Sequence, residues 1–163
     1  MNKKLSLMNN NIIIQSNKKA YYNFFIHETF KAGLVLRGCE VRNFRLKKVN
    51  IESSYIIIRE NQVFLYGLHL EKITTVSNCN DTMNDVNICK LLLKKKEILF
   101  LKSKVLKKGY TIVPLSIFLH NSWFKLNIGV AIGKKMKDKR QCKIDKNWLI
   151  NKNRILKNVR NER

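Results

Sequence analysis

Hydrophobic residues in the first half of the chain form two short runs that alternate or cluster in the manner of β-strands. Asn50–Arg59 and Val63–Leu70 are both rich in β-branched and aromatic residues, and the polar segment 60–62 separates them. Two such runs joined by a short polar connection predict a β-hairpin. Gly67 lies inside the second run and indicates either a bulge or a barrel bend.

A second pair of runs follows later in the chain. Tyr110–Leu119 and Trp123–Ile132 are separated by three polar residues and predict another hairpin. Lys125 and Asn127 alternate with apolar neighbours, so one face of that strand is expected to be buried and the other wet. Pro114 indicates an edge position or a bulge, because proline cannot donate to a β-ladder.

The remaining elements are read from shorter patterns. Phe30–Leu36 is mostly apolar and predicts a buried strand, whereas Lys18–Ile26 is compatible with a short helix or a strand. Glu40–Lys47 has apolar residues three apart and predicts a short amphipathic helix. Leucine and isoleucine spacing predicts a longer helix over 87–107, ended by Lys108-Gly109.

Together these elements predict a mainly β fold, a small barrel of the OB type with about six strands and flanking short helices. A parallel α/β fold is disfavoured because the strands arrive as hairpins. We expect a flexible arm at 1–16, a barrel at 17–132 containing a polar loop at 71–86, and a basic tail at 133–163.

The tail is the most unusual segment of the chain. It is strongly basic and has no Gly or Pro after its first residue. Its apolar surface is too small to offset the entropy of ordering it alone, so we expect disorder in the free protein. Against a polyanion it could form a helix with a cationic face and a narrow apolar seam, whose anchors are Met136, Ile144, Trp148, Leu149, Ile155 and Leu156.

The charge of the chain extends this expectation to the whole molecule. Its 163 residues include 33 Lys+Arg and 11 Asp+Glu, a formal net charge of +22. Such an excess opposes compaction and indicates a polyanionic partner, either nucleic acid or an anionic membrane. No run of about eighteen apolar residues predicts a transmembrane helix.

Other features bear on compartment and chemistry. The first residues lack the apolar stretch and cleavage site of a secretory signal, and the four cysteines show no CxxC pairing or zinc spacing. We therefore expect free thiols in a reducing, cytoplasmic compartment. The three histidines have no catalytic partners at a recognisable spacing, and no phosphate-binding glycine loop is present. The sequence thus predicts no enzyme, metal or cofactor.

Basic residues at the ends of the predicted elements favour nucleic-acid binding. Each lysine alone is more often a solvated side chain, and each tyrosine is more often a core residue, so only the aggregate favours RNA or DNA. Glu40 stands among basic residues and either accepts from a base edge, orients an arginine, or forms a surface ion pair. The cations concerned are Lys18, Lys19, Arg42, Arg45, Lys90, Lys134 and Lys135, with Tyr21, Tyr22 and Tyr55 as stacking candidates.

Several motifs, in order along residues 17–160, resemble one known family. They are AGL-x-L-x-G-x-EV in the first half, GYT-x-VPL in the second, and IG-x-A-x-GKK followed by DKR near the tail. The run KLLLKKKEI lies between them. In this combination and order the chain is similar to the SsrA-binding protein (SmpB) family.

The resemblance implies an OB-fold barrel that binds the tRNA-like domain of transfer-messenger RNA and delivers it to ribosomes stalled on messages without a stop codon. It implies that the tail folds in the empty mRNA channel, beside the decoding centre and the small-subunit rRNA. Alanyl-tRNA synthetase and elongation factor Tu are implied as indirect partners, with the protein itself a cytoplasmic monomer that performs no bond chemistry.

The resemblance also implies roles for individual residues. For RNA contact it implies Lys18, Lys19, Glu40, Arg42, Arg45, Asn50, Lys90, Leu91, Lys134 and Lys135. For the decoding centre it implies Lys137, Asp138, Lys139 and Arg140, and for the mRNA channel Lys143, Trp148, Arg154, Ile155 and Lys157. The chain departs from the family's usual residues at Lys31, where Glu is common, at Cys39, where Trp is common, and at Lys137, where His is common.

Two other functions remain as alternatives. One is a generic OB-fold protein of the ribosome or of single-stranded nucleic acid, although nonspecific binding does not require the ordered tail motif. The other is an RNA-modifying enzyme, for which the sequence supplies no catalytic cluster.

Overall fold

The computed structural model describes residues 11–71 and 88–161. Within these ranges the chain forms nine strands and four helices. The strands are β1 (Asn11–Ser16), β2 (Phe24–Leu34), β3 (Val49–Asn50), β4 (Tyr55–Arg59), β5 (Gln62–Tyr66), β6 (His69–Leu70), β7 (Cys89–Leu92), β8 (Tyr110–His120) and β9 (Trp123–Gly133). The helices are α1 (Lys18–Asn23), α2 (Gly38–Arg45), α3 (Lys95–Val105) and α4 (Met136–Asn161).

Seven of the strands form one antiparallel sheet in the order β1-β8-β9-β2-β7-β5-β4. The sheet curls so that β4 approaches β8 without pairing with it, which leaves a partly open barrel. Strands β3 and β6 form a separate antiparallel pair. The prediction of a mainly β, OB-like barrel with flanking short helices is confirmed, with β1 added to the main sheet.

The core fills the inside of the curled sheet and extends beneath two helices. Phe44 of α2 and Leu101 of α3 are fully buried, together with Leu65, Leu126 and Ile128 from three strands. Each helix therefore packs an apolar face against the barrel, while its other faces remain free for charged side chains.

Both predicted hairpins are confirmed. In the first, β4 and β5 are joined through Glu60 and Asn61, whose φ angles of 46° and 58° are those of a tight hairpin turn. Asn121 and Ser122 do the same between β8 and β9, with φ angles of 46° and 70°. Gly67 has a φ of 71° and bends the chain between β5 and β6, as its position in the sequence indicated.

Strand β8 has a β-bulge between Pro114 and Ser116, so Pro114 borders the bulge. On one side β8 pairs with β9 throughout, and on the other β1 ends opposite Ser116. Proline therefore stands just beyond the end of the β1 ladder, where no donor is required. The bulge was one of the two predicted alternatives.

The N-terminal segment differs from expectation. Residues 11–16, which we assigned to a flexible arm, form β1 and pair with β8 from Asn11 to Ser16. The sequence did not predict this strand because Ile12 and Ile13, which are both exposed, do not give the alternating apolar and polar pattern of a half-buried strand. Residues 1–10 lie outside the described part of the chain.

The helix predicted over 87–107 is also corrected. Residues Cys89–Leu92 form β7, with burial alternating between buried and exposed, and α3 begins only at Lys95. Cys89 and Leu91 follow the two-residue period of a strand, although the leucines here also fit a helical period. Pairing with β2 and β5 decides in favour of the strand. Gly109, with a φ of 91°, follows α3 as predicted, and most of the loop predicted at 71–86 lies outside the described residues.

The tail is a single helix, α4, of 26 residues. A helix of this length is about 39 Å long. Its helical form matches the conformation expected on a polyanion, whereas the disorder expected in the free protein stays a prediction. None of the helices in the described ranges has the length and apolar content needed to cross a membrane.

Candidate nucleic-acid interface

Helix α1 presents two cations near one end of the barrel. Lys18 and Lys19 form its first turn, and both are exposed. The N-cap Asn17 fixes this turn, since its Oδ1 accepts a hydrogen bond of 2.9 Å from the backbone N–H of Ala20. Lys19 Nζ lies 2.6 Å from Glu52 Oε2, an exposed ion pair that holds α1 beside the segment leading to β4.

Asn17 also ties α1 to the barrel. Its Nδ2 donates to the backbone oxygens of Pro114, at 3.1 Å, and Ile51, at 3.3 Å. Because Ile51 directly follows Asn50, these bonds bring Asn50 to the same region as the two lysines. Asn50 Oδ1 in turn accepts a 2.9 Å bond from the N–H of Glu52, which shapes this connection.

Asn17 was absent from the residues predicted for the interface. Its side chain is only 3% exposed, so it acts by positioning its neighbours. An asparagine immediately before a short polar-to-aromatic segment is the usual N-cap signal, and that signal could have identified it. The two backbone oxygens that it bridges were beyond any sequence pattern, because they lie 34 and 97 residues away.

Helix α2 is the short amphipathic helix that the sequence predicts. Arg42 and Arg45 are exposed, while Phe44 is buried with its ring centroid 5.2 Å from that of Phe124. The apolar residue anchors the helix to β9, and the two guanidiniums therefore remain at the surface. Their planar donor groups are suited to bidentate contact with phosphate.

Glu40 has a role that none of the predictions described. Its side chain is 7% exposed, and its Oε2 accepts a 2.7 Å hydrogen bond from the N–H of Arg37 at the start of α2. This is the reach-back contact of a capping box. Glu40 therefore stabilises the helix that carries the arginines and is largely withdrawn from the surface that RNA could reach.

Lys90 and Leu91 were both predicted to contact RNA, but their side chains point to opposite faces of β7. Lys90 is exposed on the outer face, opposite Phe64 of β5. Leu91 is 2% exposed and belongs to the hydrophobic core. The side chain of Leu91 cannot contact RNA in this structure, contrary to the prediction, whereas Lys90 is free to do so.

The end of β9 returns the chain to α1. The N–H of Lys134 donates to the carbonyl of Asn23 at 2.8 Å, and Lys134 Nζ donates to the carbonyl of Tyr21 at 3.1 Å. The same ammonium lies 4.8 Å from the ring centroid of Phe25, a cation–π distance. Lys135 is exposed beside it. Lys134 and Lys135 thus lie at the C-terminal end of the helix whose first turn carries Lys18 and Lys19.

The first turn of α4 is fixed by its own carboxylate. Asp138 Oδ2 accepts a 2.9 Å hydrogen bond from the N–H of Lys135, which satisfies a donor at the helix start and places negative charge at its positive end. Asp138 was predicted for the decoding centre. In this structure its carboxylate holds the junction between β9 and α4.

Tyr22 of α1 receives two cations from α4. Lys139 Nζ lies 5.6 Å and Lys143 Nζ 5.8 Å from its ring centroid. Lys139 also donates a 2.9 Å hydrogen bond to Asn23 Oδ1. We call Tyr22, Asn23, Lys139 and Lys143 the tail clasp, because these contacts hold the start of α4 against α1.

Beyond the clasp, every residue of α4 from Ile144 to Leu156 is exposed. Lys152 Nζ lies 5.1 Å from the ring of Trp148, whose side chain is 58% exposed, and Ile155 is 63% exposed. The apolar seam therefore has no partner within the described residues. Lys137, Arg140 and Arg154 are exposed, and the side chain of Lys157 lies outside the described part of the structure.

The structure describes three of the four cysteines. Cys89 is buried, and burial together with nearby Glu40 raises the pKa of its thiol to about 12. Cys39 is exposed and Cys142 half-buried, both as free thiols. Within residues 11–71 and 88–161, no three His, Cys, Asp or Glu side chains cluster in a way that could hold a metal ion.

Comparison with known proteins identifies relatives of this chain. The model of the SmpB protein family matches residues 14–158. Among solved structures, a chain described as "tmRNA-SmpB: a journey to the center of the bacterial ribosome" is 32% identical with a TM-score of 0.60. That match covers 75% of this chain and 85% of the other.

Proposed function

This chain belongs to the SmpB protein family, and on that premise we propose that it is an RNA-binding adaptor of trans-translation. It binds the tRNA-like domain of transfer-messenger RNA and delivers this RNA to stalled ribosomes. The observation that carries the proposal is the family match, which runs from β1 through the barrel and into α4. The related chain described with tmRNA and the bacterial ribosome supports the same partners.

The RNA-binding surface is centred on α1 and the end of β9. Lys18 and Lys19 lie in the first turn of α1, and Lys134 and Lys135 lie at its other end. Asn17 and Asn50 fix the backbone around the first turn. Cations on short, well-anchored elements can neutralise phosphates in a defined arrangement, and the binding should weaken steeply with salt. Arg42, Arg45 and Lys90 extend the cationic surface across α2 and β7.

The tail senses the empty mRNA channel of the ribosome. The clasp directs the start of α4, and the rest of the helix carries unpartnered Trp148 and Ile155 beside lysines and arginines. An rRNA-lined channel offers phosphates for the cations and base or ribose surfaces for the apolar seam. Lys137 to Arg140 are assigned to the decoding centre, with Lys143, Arg154 and Lys157 further along the channel.

The protein itself catalyses no step in this account. Alanyl-tRNA synthetase charges the RNA, elongation factor Tu delivers the charged complex, and the ribosome forms the peptide bond. The adaptor acts as a cytoplasmic monomer. The domain division follows the same logic, with the barrel, including β1, at 11–132 for RNA and the tail at 133–163 for the ribosome.

A tail truncation after Lys135 tests the proposal in a reconstituted translation system with a message lacking a stop codon. We expect affinity for transfer-messenger RNA to stay within about threefold, since α1 and β9 are intact, while tagging of the stalled peptide is lost. Cys142→Ser in the full chain is the matched control and should support normal tagging.

Two results would overturn parts of this account. Loss of RNA affinity together with tagging would refute the division between barrel and tail. Failure of the full-length chain to bind transfer-messenger RNA in preference to an elongator tRNA would refute the proposed function itself.

A further inference from the structure

The outer face of β4, β5 and β7 carries side chains that folding alone does not require. In β4 and β5, Ile56, Ile58, Val63 and Leu65 point inward to the core. The alternate positions point outward, and the strand register pairs them as Tyr55 with Tyr66, Ile57 with Phe64, and Arg59 with Gln62. We call this surface the aromatic face.

A row of flat side chains lies on the aromatic face. The rings of Tyr55 and Tyr66 are stacked, with centroids 5.6 Å apart and planes inclined by 12°. The guanidinium carbon of Arg59 lies 5.5 Å from the centroid of Tyr66. Tyr66 therefore contacts both Tyr55 and Arg59, and Tyr55 is 50% exposed.

Cations lie around this row. Lys90 of β7 is exposed and is paired with Phe64, which lies on β5 two residues before Tyr66. At the hairpin turn, Lys102 Nζ lies 3.5 Å from Asn61 Oδ1, which places α3 beside the end of β4. The aromatic face therefore combines flat rings with positive charge, where a purely structural cross-strand pair would need only the rings.

Cross-strand tyrosine pairs do stabilise sheets, by about 0.2–1 kcal/mol. That contribution explains the contact between the two rings, but not why Tyr55 remains half exposed with an arginine against its partner's ring. A half-exposed ring backed by a second ring and a guanidinium is suited to accept a third planar group. Nucleobases stack on aromatic side chains in this way, and neighbouring lysine and arginine then meet the backbone phosphates.

We propose that Tyr55 is a stacking site for an unpaired nucleobase, with Arg59 and Lys90 contacting the phosphates that flank it. The bases of a duplex are stacked on one another and cannot reach this ring, so the ligand is a single-stranded loop or bulge. The site is tolerant of base identity, because stacking uses the π-face alone. The inference rests on the proposed function in taking that ligand as RNA, and it adds a second contact surface to the α1 and β9 region.

The test uses the full chain and labelled RNA probes in fluorescence anisotropy. The probes are a uridine oligomer of about eight nucleotides, an adenosine oligomer of the same length, and a blunt duplex of similar charge. We expect Tyr55→Leu to weaken binding of both single strands about five- to a hundredfold and to leave duplex binding within about twofold. Tyr55→Phe retains the ring and should bind as the unchanged chain does.

Thermal unfolding of both variants distinguishes lost stacking from lost folding, since Leu and Phe both preserve an apolar side chain at the position. Equal affinity of Tyr55→Leu and the unchanged chain for the single strands would overturn the inference. So would an equal loss on the duplex, which would indicate a general loss of charge or shape.

The experiments distinguish failure of the stacking site from failure of the proposed function. If the unchanged chain binds the oligomers through Tyr55 but shows no preference for transfer-messenger RNA, the stacking site stands and the adaptor function falls. If it prefers transfer-messenger RNA and Tyr55→Leu changes neither that affinity nor the binding of the oligomers, the function stands and the stacking site falls.

Discussion

Lys90 and Leu91 are adjacent in the chain and point to opposite sides of β7. Single substitutions can therefore test the proposed RNA contact of Lys90 separately from the core packing of Leu91. Leu91→Ala should lower the free energy of unfolding by about 2–5 kcal/mol, because it leaves a cavity in the core. Lys90→Ala should leave thermal stability unchanged and weaken RNA binding several-fold, with the salt slope reduced by about one.

Chemical denaturation and RNA titration at several salt concentrations measure these two effects. A Leu91→Ala variant as stable as the unchanged chain would contradict the core position. A Lys90→Ala variant with unaltered salt dependence would remove Lys90 from the interface.

Cys89 provides a pH prediction at the same scale. Its pKa is raised from 9.0 to about 12 because burial and, to a lesser degree, Glu40 disfavour the thiolate. The unfolded chain therefore ionises this thiol at lower pH than the folded chain does. Its contribution to stability is fully present below pH 9 and is lost as the pH rises from about 9 towards 12.

Cys89→Ala removes this contribution and serves as the reference. The difference in unfolding free energy between the two chains should shrink between pH 8 and about pH 10.5. At pH 8, iodoacetamide should label exposed Cys39 in the folded protein and spare Cys89. Rapid labelling of Cys89 under native conditions would contradict its burial.

For single residues, the sequence predicted which cations are exposed but not which way every side chain points. Lys18, Arg42 and Lys90 were predicted at the surface because they stand near the ends of predicted elements, and the structure exposes all three. Glu40 and Leu91 were assigned to RNA by the family resemblance, which carries over positions without saying which way a side chain points. Only the strand register and the helix start decide that question.

At the scale of elements, the placement of α1 depends on one buried side chain. Asn17 caps α1 and bonds the backbone of two distant segments, so Asn17→Ala should lower the free energy of unfolding by about 1–3 kcal/mol. It should also weaken RNA binding, since Lys18 and Lys19 lose their fixed position. Asn17→Ser can still cap the helix but is too short for both bridges, and we expect an intermediate loss. Equal stability of all three chains would show that these bonds contribute nothing.

The tail clasp makes a prediction for α4. Each exposed cation–π contact contributes about 0.5–1 kcal/mol, so losing both from Tyr22 should raise local opening about five- to thirtyfold. Hydrogen exchange over residues 136–143 should accelerate accordingly in Tyr22→Leu and remain slow in Tyr22→Phe. Unchanged exchange in the leucine variant would mean that the two cation–π contacts contribute nothing, and that the Lys139–Asn23 and Asp138–Lys135 hydrogen bonds and the backbone junction at Lys134 hold the helix start.

Elements were predictable where local pattern and long-range pairing agree. The β4–β5 and β8–β9 hairpins are local, and their polar turns were visible in the sequence. Strands β1 and β7 were missed because each depends on partners far along the chain. In β7, four residues fit either period, and in β1 the exposed isoleucines conceal the pairing with β8.

At the scale of the whole molecule, the formal charge of +22 and the single long helix belong to one account. The barrel supplies a fixed arrangement of cations, and α4 extends cations and an apolar seam away from it. Neither part alone requires so large a charge, but the proposed adaptor, whose barrel binds an RNA and whose tail enters an rRNA-lined channel, uses both.

The most direct test of that account is the identity of the RNA bound in the protein's own cells. The chain should be purified under mild salt after crosslinking, and its RNA sequenced against total RNA as the reference. We expect strong enrichment of one RNA that has a tRNA-like end with a terminal CCA and an internal reading frame. Enrichment of ribosomal or messenger fragments without that species would contradict the central claim.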